Sequence, residues 1–183
     1  MIHNKNTAYV QYVDNFLGQE TLTSLQETFS NIEFRDVKNE AGVYGKRHTF
    51  PLDTFKDDPL LLRIQEFFFP YSPLEPLSIS AHLRHNSSGE PKVHVDREKG
   101  SIANFLLFVK GKPLFNNGTG FFVDGKLSSH VGFVENRALF FNGNKIWHTD
   151  LQAFGDSSPR YTLNIFYKRK GILVTKGEND EKK

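Results

Sequence analysis

The sequence predicts an α+β domain that is mainly β, with helices in its first 70 residues and short strands from residue 77 onward. Three observations predict it. Apolar residues recur at helical spacing in two early segments. Later, short runs rich in Val, Ile, Phe and Tyr alternate with Gly, Asn, Asp and Pro. The last of these runs, RYTLNIFY from Arg160, alternates polar and apolar side chains at the period of a strand.

In chain order, AYVQYVD (8–14) reads as a strand. A helix is expected from Gln19 to Phe29, where Leu22, Leu25 and Phe29 share one face. A second opens at Asp57-Asp58-Pro59, an N-cap followed by proline at the first helical position. It runs through Leu61, Ile64 and Phe68 until Pro70 stops it. Seven strand candidates follow: LSISAHLRHN, IANFLLFVK, GFFVDG, HVGFV, RALFFNG, KIWHTD and RYTLNIFYKRK. Many short strands separated by loop signals fit a sandwich or barrel, with the earlier helices packed on one sheet. There is no internal repeat and no low-complexity linker. Residues 1–175 are therefore expected to form a single domain, and residues 176–183 (KGENDEKK) a polar tail.

With 183 residues, 38% of them hydrophobic and 18 of them Phe, the chain can bury a core without covalent staples. Cysteine is absent, which excludes disulfides, thiol catalysis and thiolate-bound zinc or iron–sulfur centres and leaves histidine and carboxylate as metal ligands. Charge is nearly balanced, 23 Lys+Arg against 21 Asp+Glu, whereas nucleic-acid binders carry a basic excess. Lys168-Arg169-Lys170 is basic but sits at a strand end, where a solvated terminus explains it. No stretch is apolar for long enough to span a bilayer. The opening MIHNKNTAYVQYVDNF has no charged-then-apolar signal pattern, so a cytoplasmic location is expected.

Residues 94 to 96 read His-Val-Asp. In an extended segment, residues i and i+2 face the same side, roughly 7 Å apart between Cα atoms, so an imidazole and a carboxylate can converge on one ion. Two histidines and one carboxylate on one face of an octahedron leave three positions open. This suits non-haem Fe(II) that must take both a co-substrate and O₂. A second such triplet, His148-Thr149-Asp150, cannot head a triad, because no histidine follows it; it can supply His148 as the closing ligand for His94 and Asp96. His130, after the turn Asp124-Gly125-Lys126, is the rival closing ligand. His82 and His85, in a strand-like run, are read as structural.

Arg160 follows His148 by twelve residues. A buried dicarboxylate needs its distal carboxylate paired, and arginine offers a permanently charged bidentate fork. Alternation places Arg160, Thr162 and Asn164 on one face of the strand, and Tyr161, Leu163, Ile165 and Tyr167 on the other. The polar face suits a ligand site inside a barrel, or else it meets solvent.

The order His94-x-Asp96, His148 fifty-two residues after Asp96, then Arg160 heading a strand resembles the 2-oxoglutarate/Fe(II) oxygenases, nearest their prolyl-4-hydroxylase-like branch. The similarity covers about residues 77 to 169 and extends weakly to VDNFLGQETLTSLQETF. ENRALFFNGNKIWHTD resembles the strands leading to the family's distal histidine, and NNGTGFF resembles its Gly-Gly-x-Thr-x-Phe segment. The resemblance implies a double-stranded β-helix of the jelly-roll or cupin-like kind. It implies Fe(II) held by His94, Asp96 and His148, 2-oxoglutarate as co-substrate with Arg160 and Thr162 at its distal carboxylate, and O₂ as oxidant. Succinate and CO₂ would form as a C–H bond is hydroxylated.

Two positions depart from the family. Where relatives place a tyrosine ten residues before the first ligand, this chain has Arg84, which could meet the co-substrate by charge. Where nucleic-acid demethylases place a second arginine six residues after the first, it has Phe166; with the balanced charge, no nucleic-acid partner is expected. Arg97 and Trp147 either border the mouth of the site or serve packing and surface. By family analogy the substrate is a prolyl or other aminoacyl residue in a peptide or protein, with a free amino acid or small metabolite as the alternative. A cupin-like metal- or ligand-binding module without turnover is the alternative of a different class.

Overall fold

Proline at position 59 sets the start of the second helix, and the structure shows why. In this computed structural model, which describes residues 10–39, 42–56, 58–70, 74–84, 92–96, 98–151 and 159–171, the Asp58 side chain accepts a hydrogen bond from the Leu60 amide at 2.8 Å. Pro59 then opens α2 (Pro59–Phe68). Helix α1 (Gln19–Asn31) buries Leu22, Leu25 and Phe29, the three residues whose spacing predicts it. Between the helices lie strands β2 (Arg35–Asn39) and β3 (Gly42–Phe50) and a 3₁₀ turn at Leu52–Phe55. Strand β1 (Val10–Val13) precedes α1.

The seven later strands all form: β4 (Leu74–Arg84), β5 (Ala103–Lys110), β6 (Leu114–Val123), β7 (Lys126–Phe133), β8 (Ala138–Phe141), β9 (Trp147–Leu151) and β10 (Arg160–Arg169). They divide into a seven-stranded sheet, in the order β1-β8-β5-β10-β4-β3-β2, and a three-stranded sheet, β7-β6-β9; all neighbours pair antiparallel. An isolated antiparallel bridge joins His94 to His148, so the segment around residue 94 continues the smaller sheet beyond β9.

Alternation along the central strands assigns their two faces. On β5, Ala103, Phe105, Leu107 and Val109 face the helices, where Leu163 and Ile165 of β10 and Ile79 and Ala81 of β4 meet Phe16, Leu25, Phe29 and Ile64. On the opposite face Phe108 joins Phe121, Val131, Phe133, Leu139 and Phe141 in a second cluster between the two sheets. Buried on both sides, β5 is a near-continuous apolar run (ANFLLFVK), with Asn104 as its one interior polar side chain, 1% exposed. Each fully buried Leu or Phe contributes about 1.5–3 kcal/mol, so the two cores fix the sheet register. The polar face of β10, carrying Arg160, Thr162 and Asn164, is thereby turned inward between the sheets. Two facing sheets with helices outside the larger one make the double-stranded β-helix that the family resemblance implies.

The β2–β3 hairpin is absent from the sequence-based reading. The tail 176–183, His85 and Arg97 lie outside the described residues.

Candidate metal and keto-acid site

His94, Asp96 and His148, separated by up to 54 positions in sequence, come together at one end of the space between the sheets. One ligand atom from each lies within 4.8 Å of the others. The backbone does the positioning. His94 and His148 exchange N–H···O bonds across their bridge at 2.9 and 2.8 Å, and the Asp96 amide donates to the Gly143 carbonyl at 2.8 Å. The imidazole centroids are 4.6 Å apart. Asp96 stands between them, its Oδ1 3.7 Å from Nε2 of His94 and its Oδ2 3.4 Å from Nε2 of His148.

The outer nitrogens are spoken for. Nδ1 of His94 meets the Lys92 carbonyl at 2.7 Å, and Nδ1 of His148 meets the Ile146 carbonyl at 2.9 Å. A carbonyl can only accept, so each Nδ1 carries the proton and each Nε2 turns a lone pair toward the centre, as a metal-binding imidazole requires. Asn104 donates Nδ2–H to Asp96 Oδ2. Gly143 leaves the room: a Cβ there would collide with that same carboxylate oxygen and with the Asn104 amide. The donor set of two neutral nitrogens and one carboxylate, with no thiolate, fits a divalent first-row metal that keeps open coordination positions.

Charge follows from this geometry. The hydrogen bond with Asp96 raises the His94 pKa against the opposing effect of burial. Burial lowers that of His148, with Asp96 opposing. Burial pushes the Asp96 carboxyl upward, but His94, His148 and Asn104 together hold it below the ordinary carboxylate value. A divalent cation at this centre would compete with protonation of His94.

A pocket of about 580 Å³ opens over the triad. Leu106, Phe141 and Phe166 give it an apolar wall, while Thr119, Thr162 and Asn164 give it hydroxyl and amide groups. Thr119 is 2% exposed, and its Oγ1 has no hydrogen-bond partner. At the far end Arg84 and Asp150 reach the wall. Arg84 and Arg160 are direct cross-strand partners on β4 and β10. Arg84 Nε donates to Asp150 Oδ2 at 2.7 Å, and Arg160 Nη2 lies 3.9 Å from Asp150 Oδ1. Arg160, 4% exposed, donates Nη1–H to the Leu151 carbonyl at 2.9 Å; its Nη2 is buried without a hydrogen bond. Burial disfavours the Asp150 anion, yet Arg84 and Arg160 hold its carboxyl far below the ordinary value.

The expected residues therefore gather around one cavity: the triad at one end, Thr162 and Arg84 on the wall, and Arg160 beside Asp150 just off it. His82 also lines the pocket, opposite Thr162 in the strand register, with Nε2 3.0 Å from Ser80 Oγ. His130 pairs with Gly120, out of phase with the inward-facing Val131 and Phe133, and takes no part in the triad. Trp147 is 53% exposed and does not line the pocket. Asn104 and Gly143 escape the sequence reading, and Asp150 enters it only as the end of the His148-Thr149-Asp150 triplet, with no role. Asn104 leaves a signal, as the polar residue inside an apolar strand.

No protein-family model matches the chain, and no curated protein matches it by sequence. Solved structures do match. A prolyl-4-hydroxylase from Pseudomonas putida superposes with a TM-score of 0.60 at 14% identity, over 90% of this chain and 95% of that one. HygX from Streptomyces hygroscopicus, solved with nickel, 2-oxoglutarate and hygromycin B, gives 0.67 at 11% identity, over 91% and 85%. A prolyl hydroxylase from Trichoplax adhaerens, in complex with a hypoxia inducible factor peptide fragment, gives 0.59 at 15% identity, over 89% and 84%. The fold of this chain is that of the 2-oxoglutarate/Fe(II) oxygenases.

Proposed function

We propose that this chain is an Fe(II)- and 2-oxoglutarate-dependent dioxygenase, with the metal held by His94, Asp96 and His148. The observation that carries the reading is the orientation of the two imidazoles. Both Nδ1–H groups are committed to carbonyls, so both Nε2 lone pairs and the Asp96 carboxylate point at one place. Bound iron would supply the activation of O₂, with 2-oxoglutarate going to succinate and CO₂ as a substrate C–H bond is hydroxylated. The chain's own part is to orient and to exclude water. Asn104 fixes the Asp96 rotamer. Arg160, with Thr162 and Arg84, meets the distal carboxylate of the keto acid. Leu106, Phe141 and Phe166 keep the reacting end dry.

The substrate proposed first is a prolyl or other aminoacyl residue in a peptide or protein. The fold similarity to two prolyl hydroxylases supports it, and so does the half-exposed His94 side chain at the pocket mouth. A small-molecule substrate is the second reading, supported by the similarity to HygX with hygromycin B bound.

Succinate release in air, from Fe(II)-loaded protein alone and with peptide pools, tests the reaction. Turnover in the wild type that disappears in His94→Ala is the expected result; equal release by both proteins contradicts it. Arg160→Ala should raise the apparent requirement for 2-oxoglutarate, because a lost charge-assisted contact to a buried carboxylate costs on the order of 2–5 kcal/mol. Unchanged co-substrate affinity in that variant would remove Arg160 from the site.

A further inference from the structure

The far end of the pocket holds more charge than the grip on one carboxylate requires. Two arginines face each other across β4 and β10, and Asp150 sits against both. Three features show that this arrangement is built. Gly45, the β3 neighbour of Arg84, has no Cβ because the Arg84 guanidinium occupies that space. Asp150 is placed by strand alternation, two residues beyond His148 on the same face of β9. Arg160 is tied to the Leu151 carbonyl through Nη1, so its Nη2 is held facing the Asp150 carboxylate, buried and without a hydrogen bond.

Asp150 lies on the pocket wall and Arg160 does not. An incoming carboxylate that reaches for Arg160 Nη2 therefore meets the Asp150 carboxylate first. The cluster of two guanidinium groups and one carboxylate carries a net single positive charge, where Arg84 and Arg160 alone would carry two. Beside a guanidinium as buried as that of Arg160, like charges a few ångströms apart interact strongly.

We propose that Asp150 is an internal competitor for the Arg84–Arg160 pair, and that it sets the affinity for the co-substrate by opposing the keto acid's distal carboxylate. This rests on the oxygenase reading above. It assigns Asp150 a role opposite to that of a supporting residue: its charge weakens co-substrate binding while its oxygen atoms position Arg84. Selectivity follows as well. The opposition acts only on 2-oxo acids with a second carboxylate, because the end of the molecule that binds the metal lies at the other end of the pocket.

Calorimetric titration of 2-oxoglutarate and of pyruvate into the Mn(II)-loaded full chain separates the possibilities, since pyruvate lacks the distal carboxylate. Asp150→Asn keeps an acceptor for Arg84 and removes the charge. It should bind 2-oxoglutarate about tenfold or more tightly than wild type, with pyruvate binding unchanged. Equal or weaker 2-oxoglutarate binding overturns the proposal, as does a parallel gain for pyruvate. Should that variant not fold, Arg84→Gln and the double variant Arg84→Gln/Asp150→Asn carry the test. The single change leaves Asp150 to neutralise Arg160 and should weaken 2-oxoglutarate binding; the double should restore it. A double variant no better than the single one overturns the proposal. Wild-type protein that binds neither 2-oxo acid overturns the oxygenase reading itself, a result distinct from every other.

Discussion

Replacing Asp96 by alanine removes the one anionic donor from a cluster otherwise made of two neutral imidazoles. Metal binding should fall below detection by calorimetry while circular dichroism stays native. Gly143→Ala tests the same carboxylate from behind, because its new methyl group would fall on Asp96 Oδ2 and Asn104 Nδ2. Its Mn(II) affinity should drop by tenfold or more, in the range seen when groups supporting metal ligands are disturbed; wild-type affinity would show that the Asp96 rotamer does not matter. His82 makes a prediction about pH. Burial, with the Arg84 charge second, depresses its pKa from 6.5 to about 4. Between those values the unfolded chain binds the proton and the folded chain does not, so stability rises with pH across that window and is lost on acidification. The ceiling is about 3 kcal/mol for this one group. Urea unfolding at pH 4.5 and 7.5 should therefore show a smaller difference for His82→Gln than for wild type; an equal difference contradicts a His82 held neutral in the fold. At this scale the sequence announces the triad, since a His-x-Asp triplet and a later histidine are visible in order. It conceals Gly143, and it leaves Asn104 and Asp150 without a role, because those roles come from neighbours that only the folded chain brings close.

Strands β4 to β10 are legible because burial on one or both faces writes itself into composition. ANFLLFVK is apolar on both faces, and RYTLNIFY alternates because one face meets the helices and the other the pocket. The β2–β3 hairpin is illegible for the converse reason. It forms the far edge of the large sheet, and RDVKN carries the charges that keep an edge strand from pairing further, so no apolar pattern marks it. The connection between β7 and β8 shows an element fixed by one polar residue. Asn136 adopts a positive φ of 62°, and its side chain both accepts from the Leu17 amide and donates to the Leu17 carbonyl, each at 2.8 Å. This ties the segment before α1 to the sheet across 119 positions. Asn136→Ala deletes two buried hydrogen bonds and leaves two backbone groups unpaired. It should cost about 2–4 kcal/mol in urea unfolding; a loss below 1 kcal/mol would show that the clamp is dispensable.

Across the whole molecule, the triad links parts that the cores alone hold less firmly: the segment bearing His94 and Asp96, strand β9, and the loop at Gly143. A divalent metal should therefore stabilise the fold. At a hundredfold excess over its dissociation constant, Mn(II) should add about 2.7 kcal/mol, or about 5–10 °C in Tm for a chain of this size. Scanning fluorimetry should show that shift in wild type and not in Asp96→Ala. The shift should shrink on acidification, because a proton competes for His94, whose pKa Asp96 raises. The most direct test of the account is an anaerobic titration of 2-oxoglutarate into the Fe(II)-loaded protein, followed by visible absorbance. A keto acid chelating iron at His94, Asp96 and His148 predicts a weak charge-transfer band that saturates at one equivalent and is missing in Asp96→Ala. A folded, iron-loaded wild-type protein that shows no band at saturating 2-oxoglutarate would contradict it.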